Sequence, residues 1–135
     1  MVRILIVEDD PVCSLVLARC LESVGEIQEV ADGAAGIEAF RSALLEGRSY
    51  GLVCLDIMMP KIQGQTVLKE IRALEAANGV PPARETKVIM TTALNDPKNL
   101  MEAIPRCDAY LTKPVDRGDL MFYVKKFGLL NPVVS

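Results

Sequence analysis

The 135 residues include no histidine and no tryptophan, only three tyrosines and three phenylalanines, and four cysteines. Each shortage excludes a class of function. Without histidine, Ser-His-Asp and Cys-His catalysis, His-ligated zinc and a phosphohistidine carrier are ruled out. Cys13, Cys20, Cys54 and Cys107 make no C-x-x-C pair, which removes the usual zinc and redox motifs and suits reduced thiols in a cytoplasm. The apolar opening, residues 2–7, stops at Glu8-Asp9-Asp10. That is too short for a leader or a membrane span, so a cytoplasmic location without membrane insertion is expected. Basic residues are scattered, the longest run being Lys125-Lys126, and few aromatics are available to stack on bases. Direct nucleic-acid binding is not expected.

What remains is an ordinary globular composition: 50% apolar, 24% charged, 15 Lys plus Arg against 18 Asp plus Glu, net charge −3. A chain of this length forms one domain and buries roughly two thirds of the surface its unfolded form exposes. The expected division is a domain over residues 1–128 and a short tail over 129–135.

Two patterns alternate along the chain. Short apolar, β-branched runs at residues 3–7, 27–31, 51–55, 87–91 and 109–112 read as five strands. Between them lie helical patterns, the first carried by Cys13, Val16, Leu17, Cys20, Leu21 and Val24 at i, i+3, i+4, i+7, i+8 and i+11. A second helix, around residues 34–45, contains Gly36 and has the weakest signal. A third has Val67, Leu68, Ile71 and Leu74 inward and closes at Asn78-Gly79. Asp96-Pro97 opens a short fourth helix that Pro105 stops, and Asp116 starts a fifth with Leu120, Val124 and Phe127 inward. Strand and helix in alternation predict an α/β fold, a doubly wound parallel sheet covered on both faces.

In such sheets ligands bind beyond the carboxyl ends of the strands. There the sequence sets Glu8, Asp9 and Asp10 after the first strand, Asp56 after the third, Thr92 after the fourth and Lys113-Pro114 after the fifth. Carboxylates about 5 Å apart repel by ~3 kcal/mol at an effective dielectric of ~20, enough to raise one pKa by roughly two units. A cation should relieve that repulsion. Oxygen donors without His or Cys suit Mg²⁺, and a carboxylate beside a divalent ion and an ammonium can act as a nucleophile on phosphorus.

The runs I-L-I-V-E-D-D, L-D-I-M-M-P-K-I-Q-G around Asp56, M-T-T-A at 90–93 and A-Y-L-T-K-P at 109–114 together resemble a two-component response regulator receiver domain, over about residues 3–127. The resemblance implies a flavodoxin-like five-stranded sheet of order 2-1-3-4-5 with five helices. It makes Asp56 the phosphoacceptor and assigns Mg²⁺ to Asp9, Asp56 and the Met58 backbone carbonyl, with Glu8 joining through water. Thr92 matches the switch hydroxyl, Lys113 the lysine that pairs with the phosphoryl group, and Tyr110 the switch aromatic; the Lys113-Pro114 bond is cis in the family. It further implies a sensor histidine kinase or histidine phosphotransfer protein as donor and a downstream protein target. The stretch from Thr92 to Lys113 is one residue shorter than the common spacing, near Pro105, and the apolar Met58 and Leu94 beside the site predict slow loss of the phosphoryl group.

Plainer readings stand beside these. Asp10 can simply cap the first helix, Tyr110 can pack at the sheet edge, and Met58-Met59 can be local packing. Strand alternation turns only one of Thr91 and Thr92 to the site, and the following Ala93 favours Thr92. Cys13, Cys20 and Cys54 read as core, leaving Cys107 as the exposed thiol. The first functional reading is a stand-alone phosphorylation switch whose output, at this length, is contact with another protein, and which is not otherwise an enzyme. Alternatives are a relay intermediate passing phosphate to a histidine phosphotransfer protein, an aspartyl-phosphate hydrolase of the haloacid dehalogenase type, and a phosphate-independent pseudo-receiver.

Overall fold

The computed structural model describes residues 1–93 and 106–130. Five strands, β1 (Val2–Val7), β2 (Gly25–Val30), β3 (Leu52–Asp56), β4 (Lys87–Thr92) and β5 (Ala109–Thr112), form one sheet in the order β2-β1-β3-β4-β5. Every pairing is parallel. The α-helices among the described residues are α1 (Pro11–Leu21), α2 (Gly33–Leu45), α3 (Gly64–Ala77) and a last one, α4 (Arg117–Lys126), with one 3-10 turn at Pro82–Arg84. The short helix expected from Asp96-Pro97 to Pro105 lies outside the described residues.

Alternation along the strands builds two cores. Leu5, Val7, Val53, Leu55, Val88 and Met90 meet Phe40 of α2 and Val67, Leu68 and Ile71 of α3 on one face. Ile4, Ile6, Leu52, Cys54 and Ile89 meet Leu17 and Leu21 of α1 and Leu120 and Val124 of α4 on the other. Burying one such side chain contributes ~1.5–3 kcal/mol, so two full layers hold the strand ends rigidly in place. Both faces being apolar explains why the strands read as continuous hydrophobic runs.

Most boundaries agree with the sequence to within two residues. Gly36 has a packing reason: a β-carbon there would come 2.9 Å from Val7 Cγ2, so glycine lets α2 lie close on β1. Asn78 caps α3, and Gly79 takes φ +72°, the left-handed conformation expected of a helix terminator. The stripe on α1 needs correction. Val16 is exposed, and Ser14 turns inward in its place, its hydroxyl donating to Glu29 Oε1 at 2.7 Å and tying α1 to β2. Val24 is buried but lies beyond the helix, and Phe127, half-buried, is the residue that caps α4.

Of the thiols, Cys20 and Cys54 are buried, while Cys13 and Cys107 are both half-buried. Cys13 is therefore not core: its Sγ donates to Asp10 Oδ2 at 3.3 Å. Cys107 is less open than expected, packed against the first core cluster. Polar residues also enter the interior where apolar periodicity gave no hint. Glu75 of α3 is buried, paired with Arg72 at 2.9 Å, and accepts from Thr86 N–H at 2.7 Å.

Candidate functional site

The carboxyl ends of β1, β3 and β5 bring together Glu8, Asp56 and Lys113. Glu8 follows β1, its amide donating to Val30 O at 3.1 Å, which extends the β1–β2 ladder by one bond and fixes where the side chain leaves the sheet. Asp56 ends β3. The loop after it is pinned in two places: Ile62 N–H donates to Pro60 O at 2.9 Å across Lys61, whose φ is 69°, and Gly64 N–H donates to Ile57 O at 3.0 Å. Gly64 must be glycine at this point. A β-carbon there would overlap the Asp56 carbonyl and come within 2.8 Å of Ile57 Cα. Lys113 follows β5, its amide donating to Thr92 O at 2.7 Å, and the Lys113-Pro114 peptide is cis.

Lys113 Nζ lies 3.0 Å from Glu8 Oε1, 3.1 Å from Glu8 Oε2 and 3.3 Å from Asp56 Oδ2. Asp56 Oδ1 accepts the Met58 amide at 3.2 Å, and Glu8 Oε2 accepts the Asp10 amide at 3.2 Å. Glu8 and Asp56 are each only 2% exposed. Asp9 stands exposed at the rim, and one carboxylate oxygen from each of Glu8, Asp9 and Asp56 lies within 4.8 Å of the others, a group that could hold a metal ion.

The electrostatics follow from this crowding. Burial, reinforced by the neighbouring Glu8 carboxylate, pushes Asp56 up from 3.8 to about 7. Burial pulls the Lys113 ammonium down, but Glu8 and Asp56 together outweigh it and the net shift is upward. One ammonium thus serves two buried carboxylates, with an exposed third at the rim. The donor set is all oxygen and carries more negative charge than Lys113 neutralises, which fits a hard divalent cation bound by carboxylates and a carbonyl.

The other expected residues are placed less simply. Asp10 is the α1 cap, accepting from Val12 N–H at 2.9 Å; that backbone bond, with the Cys13 thiol, holds its carboxyl below the usual range. Met58 places its side chain 51% exposed, whereas Met59 is core. Thr92 ends β4 fully buried, its hydroxyl donating to Ala93 O at 3.3 Å. Tyr110 on β5 is 40% exposed, facing outward. Thr91, which the Ala93 argument sets aside, is also fully buried, and its register partner across the ladder is Asp56 itself.

A doubly wound parallel sheet with a buried acidic pair, a rim carboxylate and a bridging lysine beyond its carboxyl ends defines an α/β protein with a site suited to an oxygen-bound cation. The chain belongs to the response regulator receiver domain family, whose model matches residues 4–125. Among curated proteins it is 34% identical, over 93% of its own length and 48% of the relative's, to the DNA-binding dual master transcriptional regulator RpaA of Synechocystis. It spans about half the length of such relatives. Among solved structures, the response regulator TrrA of Thermotoga maritima in complex with Mg²⁺-BeF is 31% identical with a TM-score of 0.75, covering 94% of this chain and 99% of that one. The receiver domain of a sensor histidine kinase from Pseudomonas aeruginosa, with a magnesium ion coordinated in its active-site cleft, is 31% identical with a TM-score of 0.73, covering 93% and 95%.

Proposed function

We propose that the chain is a phosphorylation switch in which Asp56 accepts a phosphoryl group from a phosphohistidine of a sensor kinase or phosphotransfer protein. The observation that carries this reading is the Asp56 carboxylate, buried at 2% exposure, 3.3 Å from the Lys113 ammonium and within 4.8 Å of two further carboxylates. An Asp56 oxygen attacks phosphorus, the P–N bond to the donor imidazole breaks, and its electron pair leaves on the imidazole nitrogen. With the donor ring protonated on its other nitrogen, the products are an aspartyl phosphate and a neutral donor histidine.

Asp9, Asp56 and the Met58 carbonyl, with Glu8 through water, would hold Mg²⁺, which when bound neutralises charge on the phosphoryl oxygens. Lys113 orients the Asp56 carboxylate before transfer and anchors a phosphoryl oxygen afterwards. Glu8 keeps that ammonium charged and in place. Thr92 supplies a hydroxyl to the phosphoryl group by leaving Ala93 O, and Tyr110, already outward, reports the change at the sheet edge. The chain's own chemistry is its phosphorylation and slow dephosphorylation, in a cytoplasmic setting; among the described residues no helix is long and apolar enough to cross a membrane.

The output is contact with a protein target through the receiver over residues 1–128. The alternative, an output domain attached to the same polypeptide as in the longer curated relatives, is decided by the size of the endogenous protein on an immunoblot. A haloacid dehalogenase-type hydrolase wants an acid two residues after its nucleophile, where this chain has Met58. Incubation with acetyl phosphate and Mg²⁺ followed by intact mass measurement tests the reading: wild type gains one phosphoryl group and Asp56→Asn gains none. Continuous release of phosphate from many esters would instead mark a hydrolase, and no gain by wild type would mark a pseudo-receiver.

A further inference from the structure

Two hydroxyls are buried without a hydrogen-bond partner among the described residues, Thr86 Oγ1 and Thr91 Oγ1. They lie at opposite ends of β4. Thr86 precedes the strand, near Arg72 and Glu75, whereas Thr91 sits at its carboxyl end beside the acidic pair. Cys54 and Ile89 belong to the core on one face of the sheet. Side chains alternate, so two residues further on Asp56 and Thr91 leave the sheet on that same face. The register pairs these two residues directly, as neighbours across adjacent strands about 4.8 Å apart.

A buried donor with nothing to bond is unfavourable, and valine would fill the same space without that cost. The hydroxyl at this place has a use only in a state where a nearby acceptor loses its donor. Asp56 supplies that acceptor. Its Oδ1 takes the Met58 amide and its Oδ2 lies 3.3 Å from Lys113 Nζ, which is already 3.0 and 3.1 Å from the two Glu8 oxygens. An ammonium has three donors. If one turns to a phosphoryl oxygen while Glu8 keeps the others, the Asp56 oxygen not bonded to phosphorus keeps one lone pair toward the cation and has the other left open, in a site that water scarcely reaches.

Resting on the phosphoacceptor reading above, we infer that Thr91 is a positioning residue for Asp56, its hydroxyl replacing Lys113 on the Asp56 carboxyl group as the phosphoryl group arrives. Thr91 thereby holds the carboxyl plane in line while the new P–O bond forms. The idle hydroxyl of the resting state and the engaged one of the phosphorylated state are the same group.

The test compares wild type with Thr91→Val, Thr91→Ser and Thr86→Val. Three quantities are read: the thermal midpoint without phosphodonor, the Mg²⁺ dissociation constant, and the rate of phosphorylation by acetyl phosphate. Thr91→Val should raise the midpoint by about 3–6 °C, because it removes an unpaired buried group. It should leave Mg²⁺ affinity unchanged and slow phosphorylation about fivefold to tenfold, the worth of one neutral hydrogen bond. Thr91→Ser should restore the rate, and Thr86→Val should raise the midpoint without altering the rate. Phosphorylation of Thr91→Val at the wild-type rate, a lowered midpoint, or a Thr91→Ser variant as slow as Thr91→Val would overturn the inference. Wild type that takes no phosphoryl group would overturn the phosphoacceptor reading and this inference with it.

Discussion

Replacing Asp56 with asparagine should stabilise the metal-free protein at neutral pH, by an amount set by the crowding of carboxylates around it. Burial and Glu8 raise the Asp56 pKa from 3.8 to about 7 in the folded state. The ionised form is therefore the one the fold disfavours. Below about pH 4 the group is protonated in folded and unfolded chains alike and costs nothing; from there to about pH 7 the penalty grows, and above that it is complete. A shift of about three pK units corresponds to at most ~4 kcal/mol. Because Asp9 is exposed and the Lys113 side chain is 24% exposed, water relaxes around the site, and about 1–3 kcal/mol is the expected gain. Urea unfolding of both proteins in a chelator at about pH 4, about pH 6 and about pH 8 measures it. The variant's advantage should be absent at the lowest pH and full at the highest, and Mg²⁺ should close the gap by stabilising wild type alone. An advantage that does not change with pH, or a wild type more stable than the variant at about pH 8, would refute the reasoning.

Lys113→Ala leaves Glu8 and Asp56 buried without their ammonium, so stability at neutral pH should fall by ~2–4 kcal/mol and phosphorylation should slow by roughly 10²-fold. Adding Asp56→Asn to that variant should recover most of the stability; if it recovers none, the loss does not come from the carboxylate pair. Gly64→Ala should cost more than ~2 kcal/mol in urea unfolding, since its β-carbon meets the Asp56 carbonyl, whereas Gly79→Ala, with open space and only a positive φ, should cost ~1 kcal/mol. Equal effects would contradict the packing argument. Arg72→Met, cutting the bonds to Glu75, Asp108 and Thr86, should lower stability by ~3 kcal/mol without altering the rate of phosphorylation. The phosphoryl group on Asp56, beside an exposed Met58 rather than a polar side chain, should persist for minutes or longer after the donor is removed, and decay within seconds would contradict this.

The strands and the acidic site were legible because each rests on local chemistry. A strand buried on both faces must be apolar along its length, and residues that leave the carboxyl ends of parallel strands share one edge of the sheet, so the sequence pattern alone brings Glu8, Asp9, Asp56 and Lys113 together. The inward turn of Ser14 in place of Val16 could not, since it depends on Glu29 waiting on the neighbouring strand. Glu75 is the same case: a charged residue enters the interior because Arg72 and the Thr86 amide meet it there, and both partners are set by tertiary placement. Thr91 shows where pattern reasoning stopped short. Alternation turns one of the two threonines to each face, but only the register shows that Thr91 stands directly beside Asp56.

The central claim is that Asp56, and no other oxygen of the site, receives the phosphoryl group. Borohydride reduces an acyl phosphate to an alcohol, which turns phosphoaspartate into homoserine at the residue that carried it. Applied to protein phosphorylated with acetyl phosphate and Mg²⁺, then digested and sequenced by mass spectrometry, the account predicts homoserine at position 56, with Glu8 and Asp9 unchanged. Homoserine at position 9, or a borohydride-resistant phosphate on Thr91 or Thr92, would contradict it.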